Sequence, residues 1–355
     1  MKILGGRPSL HPSLHPSLHM MSRRRAISYV GSGVSLPMSL SAMSLAGCRS
    51  GDARVLRAVD IHPPGYPTVE AVKYMGEQLK NESGGALALK MYSGGQLGQE
   101  KDTLEITIFG GLDLNRVNLS ALNSFAKETL VPALPFMFRS IVHMRKAVDG
   151  APGKAILKSL EAHGLIGLCF YDSGARSFYT TSRPINRPDD LKGLKIRVQN
   201  SDLFVSMVRA LGGDATPMAF GEVYQGLLQG VVDGAENNWP SYQSTRHFEA
   251  AQYYSLTRHV MAPEVLVMSA KRWAKYSSEH QRLIRKAAKD SVSHMRALWD
   301  ARVERSRNLV LQSGVTVIEP DIVPFQEKVR PVWDRYLTTP IMKSLADDIA
   351  NVDVN

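Results

Sequence analysis

The sequence KGLKIRVQNSDLFVSMVRALGGDATPMAFGEVYQGLLQGVVDGAENN, residues 192–238, decides the fold of this chain. Apolar and polar side chains alternate over residues 194–199, which predicts a half-buried strand with Arg197 on its polar side. Two stretches with helical periodicity follow, one on each side of DATPM, and glycines end both of them. The order strand, helix, strand, helix and strand predicts a parallel α/β unit.

Two polar residues stand near the carboxyl ends of these predicted strands, Arg197 and Asn237. In parallel α/β units, ligands bind beyond the carboxyl ends of the strands. A guanidinium offers a fork of donors that fits a carboxylate, and a buried arginine is unfavourable without an anion. Arg197 therefore predicts either an internal salt bridge or a receptor site for a small organic acid, and the stretch by itself leaves both open.

The bulk composition describes a folded protein of one large or two ordinary domains. The chain has 355 residues, 44% of them hydrophobic and 21% charged, with a net charge of +10. Half of that charge lies in residues 1–47, which contain five basic residues and no acidic one. After them, basic runs interleaved with aromatic residues are absent, which argues against nucleic acid as a partner. Two cysteines are too few for a disulfide framework or a cysteine-based zinc site.

The first 47 residues form a predicted leader. Residues 8–19 repeat PSLH three times without core-forming periodicity, so we interpret them as a spurious extension ahead of a start at Met20 or Met21. SRRRAI at 22–27 is similar to a twin-arginine export motif, and LAGC at 45–48 is similar to a lipobox that would place a lipid on Cys48. The alternative is an ordinary cleaved signal peptide.

The rest of the chain predicts a two-lobed α/β protein. Strands alternate with helices in two runs that meet near residue 174, and a capping-box pattern at Ser278 starts a helix that extends to Gln312. Other helices are predicted at 142–163 and over most of 239–254. The predicted division is a leader at 1–47, lobe I from 48–174 with 263–302, and lobe II from 175–262 with 303–355.

Motifs for catalysis, metals and cofactors are absent. The sequence contains no HExxH, GxSxG, CxxC, Walker loop or Rossmann fingerprint, and its histidines lack metal-ligand spacing. We therefore predict no metal, no cofactor and no enzymatic activity. The candidate residues that remain suit the binding of a ligand, in a cleft between two lobes.

The motifs GARSFYTTSRPINRPDDLKGLKIRV and GGDATPMAFGEVYQGLLQGVVDGAENN resemble a known family, as do HPPGYPTVEAVKYM, SGGQLGQEKDT and LPFMF. This family comprises the solute-binding proteins of TRAP (tripartite ATP-independent periplasmic) transporters, and the resemblance covers nearly all of the chain after the leader. It implies a periplasmic-binding-protein-like clamshell with a long bracing helix. It also implies a periplasmic receptor for a carboxylate-bearing solute, which delivers that solute to a sodium-coupled permease with a small and a large membrane subunit.

The resemblance also implies roles for individual residues. Arg197 would be the main carboxylate clamp, Arg176 a second cationic donor, and Asn237 a ligand for the carboxylate or a nearby hydroxyl. Phe220 would wall the pocket. The first lobe would complete the cleft with His62, Glu100 and Asn118, while Arg116 is a weaker candidate and Trp239 is interpreted as packing.

Hydroxyl-binding groups opposite the arginine predict a sugar acid. Glu100, Asn118 and Asn237 suit a ligand with one carboxylate and several hydroxyls, whereas a plain dicarboxylate would face the like charge of Glu100. We therefore predict a uronate or aldonate as the ligand. The alternatives are a C4-dicarboxylate or keto-acid receptor, an exported sugar-acid-processing enzyme, and a receptor that signals to a membrane sensor. Membrane contact is predicted only through a lipid on Cys48.

Overall fold

The structure is a computed structural model that describes residues 53–354. The leader predicted at 1–47 and the lipidation predicted at Cys48 lie outside these residues. Within them, strands and helices alternate along the chain and form two sheets, which confirms the α/β class.

The first sheet has five strands in the order β2-β1-β3-β10-β4. Strand β1 pairs in parallel with β2 and β3, and β10 is antiparallel to both of its neighbours. Since β10 arrives late in the sequence, the chain leaves this sheet after β4 and returns to it. The strands are β1 (Arg54–Val59), β2 (Leu87–Tyr92), β3 (Leu114–Asn118), β4 (Leu165–Tyr171) and β10 (Glu264–Ser269).

The second sheet has six strands in the order β11-β9-β5-β8-β6-β7. Strand β6 is parallel to β7 and β8, as residues 192–238 predict, while β5 runs antiparallel to β8 and β9. The strands are β5 (Arg176–Thr180), β6 (Lys195–Val198), β7 (Asp214–Pro217), β8 (Gly234–Asn237), β9 (Tyr253–Val260) and β11 (Thr316–Ile318).

Twelve α-helices cover the two sheets in the described residues. Most expose a polar face and bury an apolar one; in α5, for example, Leu203, Met207 and Val208 are buried. The helices are α1 (Pro67–Glu82), α2 (Glu100–Ile108), α3 (Ile141–Asp149), α4 (Ala151–Ser159), α5 (Asp202–Ala210), α6 (Val223–Leu228), α7 (Trp239–Ser244), α8 (His247–Ala250), α9 (Ala270–Trp273), α10 (Ser278–Gln312), α11 (Val323–Tyr336) and α12 (Pro340–Ala350). No helix of residues 53–354 is both long and apolar enough to cross a membrane.

Helix α10 is the long bracing helix. Its 35 residues span about 50 Å at about 1.5 Å per residue, and it packs on α1 beside the first sheet and on α7 beside the second. The cap differs from the predicted capping box, because Ser277 Oγ accepts the backbone N–H of His280 at 3.2 Å. Gln281 instead donates to the carbonyls of Trp273 and Tyr276.

One other predicted element was wrong in extent, and one strand was missed. The helix predicted at 142–163 breaks at Gly150 into α3 and α4, because Pro152 lacks the N–H that a continuous helix requires. Strand β5 was missed. The segment 239–254, predicted as mostly helical, contains α7 and α8 and ends in strand β9. Since every residue of β5 is buried, its sequence carries no alternation of polar and apolar side chains.

The core extends across both sheets. One large apolar cluster combines residues of the first sheet, such as Val117, with residues of the second, such as Ile196, and α12 packs on the 3-10 helix Lys127–Ala133. Trp333 packs on this cluster and donates its indole N–H to the carbonyl of Pro135 at 2.9 Å. Cys169, on β4, is buried as a core thiol. The predicted lobe boundaries stay a prediction.

Candidate ligand-binding site

The seven side chains predicted as ligand-binding all line one cavity between the sheets. They are Arg197, Arg176, Asn237, Phe220, Glu100, Asn118 and His62. Five further residues complete the lining: Ile61, Arg116, Gln199, Ser241 and Glu264. Trp239 does not line it and stacks on Tyr254 with 4.2 Å between ring centroids.

Strand register places the second-sheet residues together. Arg197 lies near the carboxyl end of β6, beside Ala235 of β8. Asn237 ends β8, and its pairing partner is Ser177, next to Arg176 at the start of the antiparallel β5. The three polar side chains therefore meet at one edge of the sheet, as expected for a parallel α/β unit.

Arg197 is buried without a carboxylate partner. Its side chain donates from Nε and Nη2 to the carbonyl of Met218 at 3.0 and 2.8 Å, and the residue is 3% exposed. No Asp or Glu oxygen of the described residues lies within 4.0 Å of its guanidinium. Burial, together with the charge of Arg176, lowers its pKa. The internal salt bridge, one of the two alternatives for Arg197, is thus not found in this part of the chain.

Arg176 differs, because its guanidinium is held by protein acceptors. It pairs with Glu236, with Nε to Oε2 at 2.5 Å and Nη2 to Oε1 at 2.8 Å, and Nη1 donates to Asn237 Oδ1 at 2.9 Å. Burial acts to raise the pKa of Glu236, but Arg176 and His259 outweigh it and hold that pKa at about 2. The predicted role of Arg176 as a second cationic donor stays a prediction.

On the opposite side, Glu100, Glu264 and Arg116 line the cavity, and Asp60 bonds to Arg116; we name the three acids the acidic wall. Nη1 of Arg116 lies 2.5 Å from Glu264 Oε2 and 3.2 Å from Glu100 Oε1, and Nη2 bonds to Asp60 Oδ1. Strand pairing explains the assembly, since Glu264, which begins β10, lies opposite Asn118, which ends β3.

Glu100 has an unusual environment within the acidic wall. Its Oε1 also accepts the backbone N–H of Asn118 at 3.1 Å, and its side chain is 21% exposed. Burial and the neighbouring Glu264 outweigh the attraction of Arg116, and they raise the pKa of Glu100 to about 7. Glu100 therefore exchanges its proton near neutral pH, where an ordinary glutamate is ionised.

Two rings close one end of the cavity. His62 stacks on Tyr66 with centroids 3.8 Å apart, and Phe220 meets His62 edge-on at 5.2 Å. Burial and the charge of Arg116 keep the pKa of His62 well below its ordinary value, so the imidazole is neutral. Its Nδ1 has no hydrogen-bond partner among the described residues.

The two sides are joined directly around the cavity. Tyr66 Oη and Ser241 Oγ are 3.0 Å apart, and Asn123 donates to Ser201 Oγ at 3.0 Å. A larger cleft adjoins the cavity and shares four lining residues with it: Glu100, Arg197, Gln199 and Phe220. These four residues therefore stand at the passage between cavity and cleft.

Sequence reasoning did not assign Glu264, Gln199 or Ser241 to the site. A signal existed for two of them. Glu264 is an acid at the start of the apolar strand EVLVMS, and Gln199 shares the parity of Arg197 on its strand. Ser241 carried no signal, because only the fold brings it to the cavity.

Comparison with known proteins identifies the family of this chain. The family model for bacterial extracellular solute-binding protein, family 7 (DctP), matches residues 58–339. The chain belongs to this family. A relative from Chromohalobacter salexigens, described as a solute-binding protein, is 39% identical over 329 residues, which cover 92% of this chain and 97% of the relative. The two-lobed clamshell and the predicted TRAP relationship are confirmed.

Two solved structures of family members hold sugar acids. A TRAP periplasmic solute-binding protein from Bradyrhizobium sp. BTAi1, in complex with α/β-D-galacturonate, is 52% identical with a TM-score of 0.83. One from Xanthobacter autotrophicus Py2, with bound β-D-galacturonate, is 49% identical with a TM-score of 0.83. Each likeness covers 84% of this chain and 100% of the other. This family 7 protein is thus an extracytoplasmic receptor of a TRAP transporter and not an enzyme.

Proposed function

We propose that this family 7 protein captures a hexuronate, with D-galacturonate as the first candidate, and delivers it to a sodium-coupled TRAP permease with a small and a large membrane subunit. The observation that carries the proposal is Arg197, a buried guanidinium that faces the cavity with no carboxylate partner in the described residues. A ligand carboxylate would provide the missing anion.

The rest of the cavity supports a sugar acid over a simple acid. The carboxylates of Glu100 and Glu264, which line the cavity, provide hydroxyl-binding groups on the side opposite Arg197. A hexuronate has one carboxylate and several hydroxyls, so it satisfies both sides, whereas a C4-dicarboxylate brings a second negative charge to the acidic wall. The galacturonate held by the two solved relatives has the same combination of groups.

Isothermal titration calorimetry tests the proposal with a panel of D-galacturonate, D-glucuronate, D-galactose, succinate and pyruvate. We expect binding of the uronates, and at least roughly 100-fold weaker binding of galactose, which leaves Arg197 without its anion. Succinate and pyruvate, representing the dicarboxylate and keto-acid alternatives, should also bind more weakly. Preference for either of them over both uronates would reject the proposal.

We also propose that the mature protein begins at Cys48 and is anchored by a lipid on that residue in the periplasm. The support is LAGC at 45–48, which follows a basic and weakly apolar leader. Mass spectrometry of the mature N-terminus distinguishes a lipidated Cys48 from an ordinary signal-peptide cleavage product.

A further inference from the structure

The guanidinium of Arg116 is occupied by protein carboxylates. The residue is 1% exposed, and its two terminal nitrogens bond to Asp60, Glu100 and Glu264. One cation beside three acids leaves a formal excess of negative charge on this side of the cavity. Arg116 is therefore unsuited to a ligand carboxylate, and its contacts fix the orientation of the three acids.

The acids of the wall differ in the oxygens that remain available. Asp60 is 1% exposed and uses Oδ1 for Arg116 and the backbone N–H of His62, and Oδ2 for Thr68 at 2.7 Å. Glu264 and Glu100 both line the cavity, and Glu100 Oε2 has no hydrogen-bond partner among the described residues. Each oxygen of Glu264 has one protein donor and retains a lone pair.

A separate observation also indicates that a polar ligand completes this side. His62 is 6% exposed and lines the same cavity, yet its Nδ1 has no hydrogen-bond partner in residues 53–354. Buried polar groups are normally paired with protein, water or ligand. A polyhydroxylated ligand offers hydroxyls to His62 and to the free carboxylate oxygens together.

We propose that the acidic wall determines specificity within the sugar acids: it accepts hydroxyls through Glu264 and Glu100, and it excludes ligands with a second carboxylate. Asp60 and Arg116 act as positioning residues. The inference rests on the proposed function and deepens it. It predicts that aldarates, which carry a second carboxylate at the carbon that is the anomeric C1 in uronates, are rejected although they too carry several hydroxyls.

The test compares D-galacturonate with galactarate by calorimetry. In the wild-type protein we expect galactarate to bind at least roughly 100-fold more weakly, since its second carboxylate meets like charge in a buried site. In Glu264→Gln, an amide replaces one carboxylate and can donate to the ligand. We expect the ratio of the two affinities to shrink by roughly tenfold or more.

Glu105→Gln is the matched control. Glu105 lies on the same helix as Glu100, lines the adjoining cleft but not the cavity, and its substitution changes the net charge equally. We expect the affinity ratio of this control to equal that of the wild type. If Glu264→Gln does not fold, Glu100→Gln provides the same reading when both ligands are measured at pH 8, where Glu100 is largely ionised.

The outcomes separate the two proposals. If the wild-type protein binds neither ligand, the proposed function fails and this inference fails with it. If it binds galacturonate and galactarate within about threefold of each other, only the inference is overturned. An unchanged ratio in Glu264→Gln, or an equal change in Glu105→Gln, also overturns it.

Discussion

The two sides of the cavity each contain a buried arginine, and the two arginines have opposite surroundings. Arg116 lies among three carboxylates, which raise its pKa well above the ordinary value. Arg197 bonds only to a backbone carbonyl among the described residues, and burial lowers its pKa. Both residues are buried arginines that line the same cavity, and they differ in whether the protein supplies a carboxylate partner.

This contrast distinguishes a buried charge that is paired within the fold from a buried charge that is available to a ligand. Protein carboxylates that pair with a buried cation offset the free-energy cost of removing it from water. A buried cation without such partners can pair with the anion of a ligand instead. We therefore expect Arg116 to contribute to the stability of the protein and Arg197 to its affinity. Substitutions at the two positions should consequently affect different measurements.

The largest expected effect is on stability, in Arg116→Met. Removing one partner of a buried ion-pair network typically costs about 3–5 kcal/mol, and here three carboxylates lose their common counter-charge. We expect the free energy of unfolding to fall by about that amount in urea titrations without ligand. A loss below about 1 kcal/mol would show that Arg116 does not hold the acidic wall together.

Arg197→Ala should show the reverse pattern. We expect uronate affinity to fall roughly 100- to 1,000-fold in calorimetry, which corresponds to about 3–4 kcal/mol. The ligand-free free energy of unfolding should change by less than about 1 kcal/mol, since no protein carboxylate is left unpaired. Arg197→Lys, which keeps the charge but not the planar fork, serves as the conservative control and should retain part of the affinity. Near-wild-type affinity in Arg197→Ala would remove the distinction between the two arginines.

The smallest expected effect concerns the pH dependence of stability at Glu100. Its pKa is about 7 in the folded protein against an ordinary 4.5, so the folded state holds the proton more tightly than the unfolded state. Its contribution to stability is therefore fully present below pH 4.5 and is lost as the pH rises through 7. Relative to wild type, Glu100→Gln should gain about 2 kcal/mol more at pH 8 than at pH 5 in the free energy of unfolding.

Chemical denaturation at the two pH values measures this difference. Glu105→Gln is again the control, because Glu105 lies on the same helix as Glu100 but does not line the cavity. A pH-independent effect of Glu100→Gln would mean that Glu100 is ionised throughout and that the acidic wall carries its full negative charge.

The sequence predicted much of this arrangement, for reasons that individual residues show. The parallel unit at 192–238 was predictable because alternation and glycine ends are local patterns, and they place Arg197 and Asn237 at one sheet edge. His62, Glu100 and Asn118 came from the family resemblance and not from any local pattern. All five line the cavity.

The partners of the arginines were not predictable. The carboxylates around Arg116 come from residues 60, 100 and 264, which only the pairing of β3 with β10 and the packing of α2 bring together. The Arg176–Glu236 pair depends on β5, which was missed because a strand buried on both faces has no alternation. Contacts between distant segments thus decide which arginine lacks a carboxylate partner among the described residues.

The buried thiol of Cys169 has a practical consequence for measuring lobe motion. It is the only free cysteine in the described residues, and burial raises its pKa to about 12. Because alkylating reagents react with the thiolate, Cys169 should not be labelled in the native protein. Maleimide dyes can therefore be directed to engineered surface cysteines, one on each lobe, and energy transfer between them can report closure without replacing the native thiol.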